Sequence, residues 1–341
     1  MITYISRSQP QYKANLHCHS TISDGKLTPT ELKAAYKSAG YSILAITDHE
    51  TPHDHSAMTE DDFLMLTGYE AYIRPSADGK YDQFKPEVHI NLFARDPHNV
   101  GFVNYSDPYC KYVSDPAVRD AFIKVGADPA RPREYTVAYI NEFVQTAKDN
   151  GYLAAYNHAI WSLEYEEMIL NYQGFFSMEM SNYSSWVTNR MEYNAALYDK
   201  LLRQGKRLFV HSTDDNHNKA PFGSPYCDSF GGYTMVLAKE LTYPAVIEAL
   251  EKGDFYSSMG PTITELTFDG SHVHIETEPA QQISMFVGGK KVYFEAGTPD
   301  APVTAADFEI PENAPYVRFS VYSFDGRFAD TRGFFRDELG I

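Results

Sequence analysis

His17 and His19 stand one residue apart, and a carboxylate, Asp24, follows five residues after the second, in the run Ala14-Asn15-Leu16-His17-Cys18-His19-Ser20-Thr21-Ile22-Ser23-Asp24-Gly25. In extended backbone, residues i and i+2 share a face. Both imidazoles can therefore point one way while Cys18 points the other. Two imidazoles and a carboxylate aimed at one place suit a divalent transition metal. Alone, the spacing also fits two alternating histidines with no ligand. Further candidates lie along the chain: His49 after Thr47-Asp48, Glu70 after Gly68-Tyr69, then His89, His158, and Asp215-x-His217, which repeats the i, i+2 device. Together these are six histidines and three carboxylates. At roughly three or four protein ligands per ion, with a carboxylate allowed to bridge, the set fits two or three divalent ions (Mn, Zn or Fe). Gathering so much acidic and imidazole function without cations would carry a large desolvation cost.

The elements that must position these residues are legible in outline. A strand over about 11–16 delivers His-x-His. Thr28-Pro29-Thr30-Glu31 reads as a capping box with Pro at N1, so a helix runs to Ala39 and stops at Gly40. Tyr41 to Thr47 is a near-continuous apolar strand ending at Asp48-His49, the pattern of a strand covered on both faces. Strands follow at 63–67, ending at Glu70, and at 88–94, with His89 near the start. Residues 95–133 carry scattered Pro, Gly and Asp and read as an irregular insertion, which in a compact domain is often a lid. A helix over 135–150, a strand at 152–157 delivering His158, a strand at 175–180 carrying Glu179, a helix over 189–203, a strand at 207–210 and a helix capped at Thr242 continue the alternation. Roughly seven or eight β-then-α units point to an α/β fold, a distorted (β/α)7 TIM-like barrel over residues 1–254, with its site at the strand ends. From 255 to 341 helical spacing disappears. Asp269-Gly270 and Asp325-Gly326 punctuate short strands, and a small antiparallel β domain is expected.

The bulk numbers narrow the function. The chain has 341 residues and a formal net charge of −17, with no Lys/Arg run of the kind a nucleic-acid groove shows. No long nucleic acid is expected as a partner, but a small anionic substrate is compatible, because bound cations invert the field locally. Three widely spaced cysteines suggest free thiols in a reducing compartment. No signal segment and no span of about 20 apolar residues is seen, so a cytoplasmic protein with no membrane partner is expected. Oligomeric state is not legible.

His17-x-His19 with Ser23-Asp24-Gly25, Thr47-Asp48-His49, Gly68-Tyr69-Glu70, His89, His158 and Asp215-x-His217 resemble, in order, the motifs of the PHP (polymerase and histidinol phosphatase) family over the first ~250 residues. The resemblance implies a distorted seven-stranded barrel and a trinuclear metal centre. It implies that His17, His19, Glu70 and Asp215 hold one ion. Glu70 would bridge to a second ion with His89 and His158. Asp24, His49 and His217 would hold the third. Ala159 stands where many members have Pro, and the interval from Glu70 to His89 is stretched. The implied activity is metal-dependent phosphoester hydrolysis of a nucleotide, short oligonucleotide or phosphorylated metabolite, by a hydroxide shared between ions. Glu70, Asp215 and His19 are the residues expected to carry catalysis.

Phosphate recognition wants Arg or Lys nearby. Arg74 and Lys219 are within sequence reach, and Trp161 could stack on a base. Asp48 could orient His49, and Glu179 is read as structural. His211 reads as a satisfied core residue, His53 and His55 as solvated, and His272/His274 as an unrelated alternation. The competing readings are an amidohydrolase-type C–N hydrolase, which also begins with His-x-His, and a metal-stabilised binding scaffold. No metal-bridging Lys is obvious on a strand, which argues against the first. A structural site needs only about four ligands, which argues against the second.

Overall fold

The computed structural model describes residues 1–76 and 78–341. After β1 (Ile2–Ile5) the chain runs β2 (Tyr12–Asn15), α1 (Pro29–Ser38), β3 (Ile43–Ile46), β4 (Leu64–Ile73) and β5 (Val88–Ala94). The insertion holds only β6 (Phe102–Val103), α2 (Pro116–Ala121) and β7 (Lys124–Val125). Then come α3 (Val137–Asp149), β8 (Tyr152–Tyr156), α4 (Glu166–Ile169), β9 (Ser177–Asn182), α5 (Tyr183–Asn189), α6 (Ala195–Arg203), β10 (Phe209–Thr213), β11 (Tyr233–Val236), α7 (Tyr243–Lys252) and β12 (Phe255–Ser258). Helix α1 begins as its sequence dictates: Thr28 Oγ1 accepts from Glu31 N–H, and Glu31 Oε2 accepts from Thr28 N–H. The helix expected over 189–203 forms only from Ala195, as α6; α5 precedes it and ends where Arg190 adopts a left-handed conformation.

The main sheet has the order β10-β9-β8-β5-β4-β3-β2-β11-β12. β2, β3 and β4 are mutually parallel, as are β8, β9 and β10. The α/β arrangement is the expected one, but among the described residues the sheet does not close into the distorted (β/α)7 barrel. The sheet is an open α/β one, and β5 runs antiparallel to both β4 and β8. The direction of β5 has a local reason: the described residues of the β4–β5 loop form no helix, and only a helix-length crossover returns a strand parallel to its predecessor. β10 and β11 approach through Thr234 Oγ1, which donates to Ser212 O (2.9 Å), rather than through a backbone ladder. Strands β3, β4 and β5 are buried at every residue, and α3 lays Ile140, Phe143, Val144 and Ala147 against the core.

Beyond β12 the chain is antiparallel. β13 (Ile263–Asp269), β14 (His272–Ala280) and β17 (Val303–Glu309) form a second sheet that β1 completes at its edge. β15 (Gln282–Phe286), β16 (Val292–Ala296), β18 (Tyr316–Tyr322) and β19 (Phe328–Asp330) extend the main sheet beyond β12, and β20 (Phe334–Phe335) pairs with β18 before α8 (Arg336–Leu339). A buried cluster that includes Ile5, Leu266, Phe268, Ile275, Phe319 and Val321 fills the space between these strands.

Candidate metal centre

Where β2 ends, Asn15 holds the turn: its Oδ1 accepts from His17 N–H and Asp214 N–H. His17 and His19 follow, both fully buried, with their Nε2 atoms 3.2 Å apart. Glu70 sits within β4 rather than at its end, because β4 continues three residues further against β5. The antiparallel run of β5 also explains His89. A residue early in that strand lies at the rim where the parallel strands finish, opposite Tyr72. Its Nδ1 is 3.1 Å from Glu70 Oε1.

Glu70 is the hub. Oε1 lies 3.1 Å from His17 Nε2 and 3.3 Å from His158 Nε2, and accepts from Asn157 Nδ2 at 2.7 Å. Oε2 lies 2.8 Å from His49 Nδ1 and 3.5 Å from His19 Nε2. Asp215 Oδ1 is 3.0 Å from His19 Nε2 and 3.2 Å from His17 Nε2. Asp24 Oδ1 faces His217 Nε2 (3.4 Å), His49 Nε2 (3.8 Å) and His19 Nδ1 (4.0 Å). All nine side chains singled out by spacing thus meet in one place. Among the described residues, four groups have ligand atoms near enough to share an ion: His19-Asp24-His49-His217, His17-His19-Glu70, His17-His158-Asp215 and His49-Glu70-His89.

Several of these atoms have nothing else to do. His19 Nδ1, His49 Nδ1, Glu70 Oε2, His89 Nε2 and Asp215 Oδ1 are buried and make no hydrogen bond among the described residues. Leaving such groups unpaired is costly, and a nitrogen and oxygen donor set of this kind suits Mn, Zn or Fe. Charge tells the same story. Burial opposes protonation of His17, but Asp215, Glu70 and Glu179 outweigh it and raise its pKa well above the usual value. Burial likewise opposes the charged form of His89, yet Glu70 and Glu87 lift it to about 10. Burial, helped by His49 and His217, holds His19 down at about 4. Protons on some imidazoles balance the carboxylates here, and a cation would compete for the same lone pairs. The residues present fit a metal site.

A further layer fixes the ring orientations. Glu179, fully buried on β9, accepts from His17 Nδ1–H (2.8 Å), Thr213 Oγ1–H (2.6 Å), His158 N–H (2.8 Å) and Asn182 Nδ2 (3.0 Å). In the neutral ring that a metal ligand requires, that bond selects the tautomer whose Nε2 lone pair faces Glu70 and Asp215. His217 is set similarly, its Nδ1–H donating to Asp215 O at 3.0 Å. The structural role expected for Glu179 is therefore corrected: it touches a candidate ligand directly. Asp48 goes the other way. It does not hold His49 but accepts from Ser20 and Ser23, both backbone and hydroxyl, and so folds the 20–24 loop that carries Asp24. Asp214 accepts from Tyr36 and from the backbone of Phe230, Gly231 and Gly232. Gly25 closes the same 20–24 loop, where a Cβ would stand 2.1 Å from His19 O. Gly25→Ala is expected to lower stability by about 1–3 kcal/mol and to weaken metal binding, read by thermal melts with and without Mn²⁺; an unchanged melt and unchanged Mn²⁺ response would contradict it.

The site opens into a cavity of about 540 Å³ whose walls include Arg74, Lys219 and Trp161. Arg74 is mostly committed: its Nε bonds Glu87, Nη1 donates to Gly79 O (3.0 Å), and the guanidinium lies 4.1 Å over the Tyr72 ring. Trp161 packs edge-on to His158 and His89, with centroids 4.9 and 5.5 Å away. Lys111 and Tyr112, which spacing gave no reason to single out, also line the cavity, with Tyr112 stacked 5.9 Å from His49. Both come from the 95–133 insertion. Ser184, Ser185 and Thr188 of α5 complete one wall. His211 and His55 are buried and held neutral near pKa 4 by burial, which corrects the solvated reading of His55. His211 is a core residue, yet neither ring nitrogen finds a hydrogen-bond partner among the described residues. His272 and His274 pair across strands with Asp307, far along the chain on β17.

The profile of the PHP domain family matches residues 15–202, more than half of the chain. The chain belongs to the PHP domain family. Among curated proteins, this PHP-domain chain is 54% identical over 62 residues to a 5'-3' exoribonuclease of Haemophilus influenzae. That match covers 17% of this chain and 23% of the relative, so the chain matches less than a quarter of the relative's length. Among solved structures, a two-domain protein of Bacteroides vulgatus described as containing a PHP-like metal-dependent phosphoesterase is 14% identical, covering 97% of this chain and 96% of that one, with a TM-score of 0.46. A protein of Bifidobacterium adolescentis described as a metal-dependent phosphoesterase is 19% identical over 63% of this chain and 92% of its own, at a TM-score of 0.39. An amidohydrolase of Chromobacterium violaceum is 20% identical over 61% and 88%, at 0.41. Among the described residues, no helix of the PHP-domain chain is long and apolar enough to cross a membrane.

Loop 157–165, which carries His158 and Trp161, rests on the carboxyl of half-buried Glu164. Glu164 accepts from Tyr135, Tyr156 and Tyr172 hydroxyls at 2.5–2.9 Å. Burial outweighs these donors and pushes its pKa up to about 7. A raised acid pKa means the protonated form suits the fold. The contribution is complete below the unfolded value near 4.5 and is lost as pH climbs towards 7, on the order of 3 kcal/mol. Glu164→Gln should therefore gain stability relative to the wild type between pH 5 and pH 8 in urea melts; an equal difference at both pH values would contradict this.

Proposed function

We propose that this PHP-domain chain is a metal-dependent phosphoesterase acting on a small phosphorylated substrate. The single observation that carries the reading is the set of buried nitrogen and oxygen atoms without hydrogen-bond partners among the described residues on His19, His49, Glu70, His89 and Asp215, gathered at the floor of one open cavity that all but His19 line. His17, His19, Asp24, His49, Glu70, His89, His158, Asp215 and His217 would hold two or three divalent ions, Mn, Zn or Fe. Bound divalent ions supply a lowered pKa for water and neutralise charge developing on phosphoryl oxygens. The chain's own side chains do the rest. Glu179 and the Asp215 carbonyl would hold the His17 and His217 tautomers, so that Nε2 of His17 faces Glu70 and Asp215 and Nε2 of His217 faces Asp24. Lys111, Lys219 and the free edge of Arg74 stand on the wall to meet substrate oxygens, and Trp161 and Tyr112 offer ring faces to a leaving group.

Within phosphoesters, a nucleotide or short oligonucleotide has two supports: the aromatic wall, and the name of the Haemophilus influenzae relative over its short match. The net charge of −17 sets the substrate at the small end of the range. We place the chain in the cytoplasm. The test is direct: measure metal by mass spectrometry on purified protein, then assay p-nitrophenyl phosphate, mononucleotides, 5'-phosphorylated dinucleotides and sugar phosphates with added Mn²⁺. Two or three ions and phosphate release are expected. Metal without release from any ester, with turnover of C–N substrates instead, would overturn the reading in favour of an amidohydrolase-type enzyme.

A further inference from the structure

Arg133 closes the irregular insertion and is among the most deeply buried side chains in the molecule. Its guanidinium makes a two-pronged pair with Glu50, Nη1 to Oε1 at 2.5 Å and Nη2 to Oε2 at 2.8 Å, with both partners fully inaccessible. The remaining donors are used on Tyr72 O (2.7 Å) and Asn104 O (3.2 Å), and the plane lies over the Tyr109 ring at 4.5 Å. Glu50 is the residue immediately after His49. Its backbone is left-handed, with φ +48°, a strained setting for a residue with a Cβ. Its carboxylate also accepts from Tyr72 N–H (2.8 Å), and its own N–H donates to Glu70 O (2.8 Å).

A buried ion pair is poor value for stability alone, since apolar residues of similar volume often do better. What this pair does is geometric. It fastens the turn that carries His49 to β4, two residues from Glu70, and to the insertion that supplies Lys111 and Tyr112. His49 is shared by two of the four ligand groups, one with Asp24, His19 and His217, the other with Glu70 and His89. Its placement therefore decides both.

We propose that Arg133 is a positioning residue for the metal centre: through Glu50 it holds His49 at the junction of two ion sites and docks the insertion over them. This rests on the metal-dependent reading above, but its test does not use phosphate chemistry. Full-length wild type, R133M, R133K, E50Q, H49A and the H49A/R133M double variant are stripped with chelator and titrated with Mn²⁺. Stoichiometry is read by mass spectrometry, affinity by calorimetry and folding by circular dichroism melts. R133M is expected to keep a cooperative melt while losing an ion, or binding its weakest ion about ten- to a hundred-fold less tightly, the usual loss when a ligand's supporting partner is removed. R133K, which keeps charge but not the two-pronged geometry, should rescue only part. The double variant should bind no worse than H49A alone. R133M with wild-type stoichiometry and affinity would overturn the proposal whatever its melting temperature, as would a double variant clearly worse than H49A. If R133M has no cooperative melt, E50Q decides in the same way: weakened Mn²⁺ binding supports the clamp and unchanged binding overturns it. A wild type that takes up no Mn²⁺, Zn²⁺ or Fe²⁺ at all would instead sink the metal-dependent reading itself.

Discussion

Glu70→Ala is expected to strip at least one ion from the Mn²⁺-loaded protein and to slow phosphate release about a thousand-fold, a loss of roughly 4 kcal/mol in transition-state stabilisation. The size follows from how many groups one carboxylate serves. Oε1 is within 3.3 Å of His17, His89 and His158 ring nitrogens, and Oε2 within 3.5 Å of His49 and His19. Five of the six imidazoles therefore lose one carboxylate neighbour at once. Glu70 itself is held ionised: burial opposes the charge, but His17, His89 and His49 outweigh it and depress its pKa well below the usual range. Without Glu70, His89 keeps only Glu87 nearby, and its reason for sitting in the site weakens. Part of the loss in the Ala variant is the void left in β4, so Glu70→Gln is measured beside it. Gln keeps the volume but cannot bridge as an anion. A Glu70→Gln protein with full metal content and full turnover would remove the hub from the site.

How much of this was visible in the sequence differs residue by residue. Thr28 and Glu31 announced α1 because a capping box is a local event, decided by four neighbouring residues. His17, His19, Asp215 and His217 were legible because i, i+2 spacing in extended backbone fixes a shared face without knowledge of the rest. His89 looked misplaced in its strand because strand direction is a tertiary property. Only the antiparallel pairing of β5 with β4 turns its early position into a rim position. The sheet stays open at a different place, between β10 and β11, where a Thr234 side-chain bond to Ser212 O stands in place of a backbone ladder. Glu179 could not be weighted correctly from sequence, since its function depends on meeting His17, 162 residues away. One signal was present: a carboxylate in the middle of a fully buried strand needs donors, and histidines were the chain's obvious supply. Lys111 and Tyr112 carried no signal, because an irregular insertion has no periodicity from which to deduce a face. His55 was misread for the converse reason: loop position suggests solvent, while burial depends on what packs above it.

Glu179→Gln separates the orienting layer from the ligands themselves. Every group that touches this carboxylate is a donor: the His17 ring N–H, the Thr213 hydroxyl, the His158 amide N–H and the Asn182 side-chain amide. Burial opposes the charge of Glu179, but His17 in particular offsets it and lowers its pKa. A glutamine of the same shape brings two N–H groups of its own, so at least two donors must face each other in a dry pocket. Each unsatisfied group there costs about 1–3 kcal/mol. The cheapest relief is for His17 to turn or change tautomer, which moves its Nε2 lone pair away from Glu70 and Asp215. The expected result is a folded protein, destabilised by a few kcal/mol, whose Mn²⁺ affinity falls about ten- to a hundred-fold and whose turnover falls in step unless Mn²⁺ is raised. Excess Mn²⁺ should restore part of the activity, because the ligands remain in place. In Glu70→Ala no excess should do so, because a ligand is gone. Equal insensitivity of the two variants to added Mn²⁺ would show that Glu179 does not act through His17.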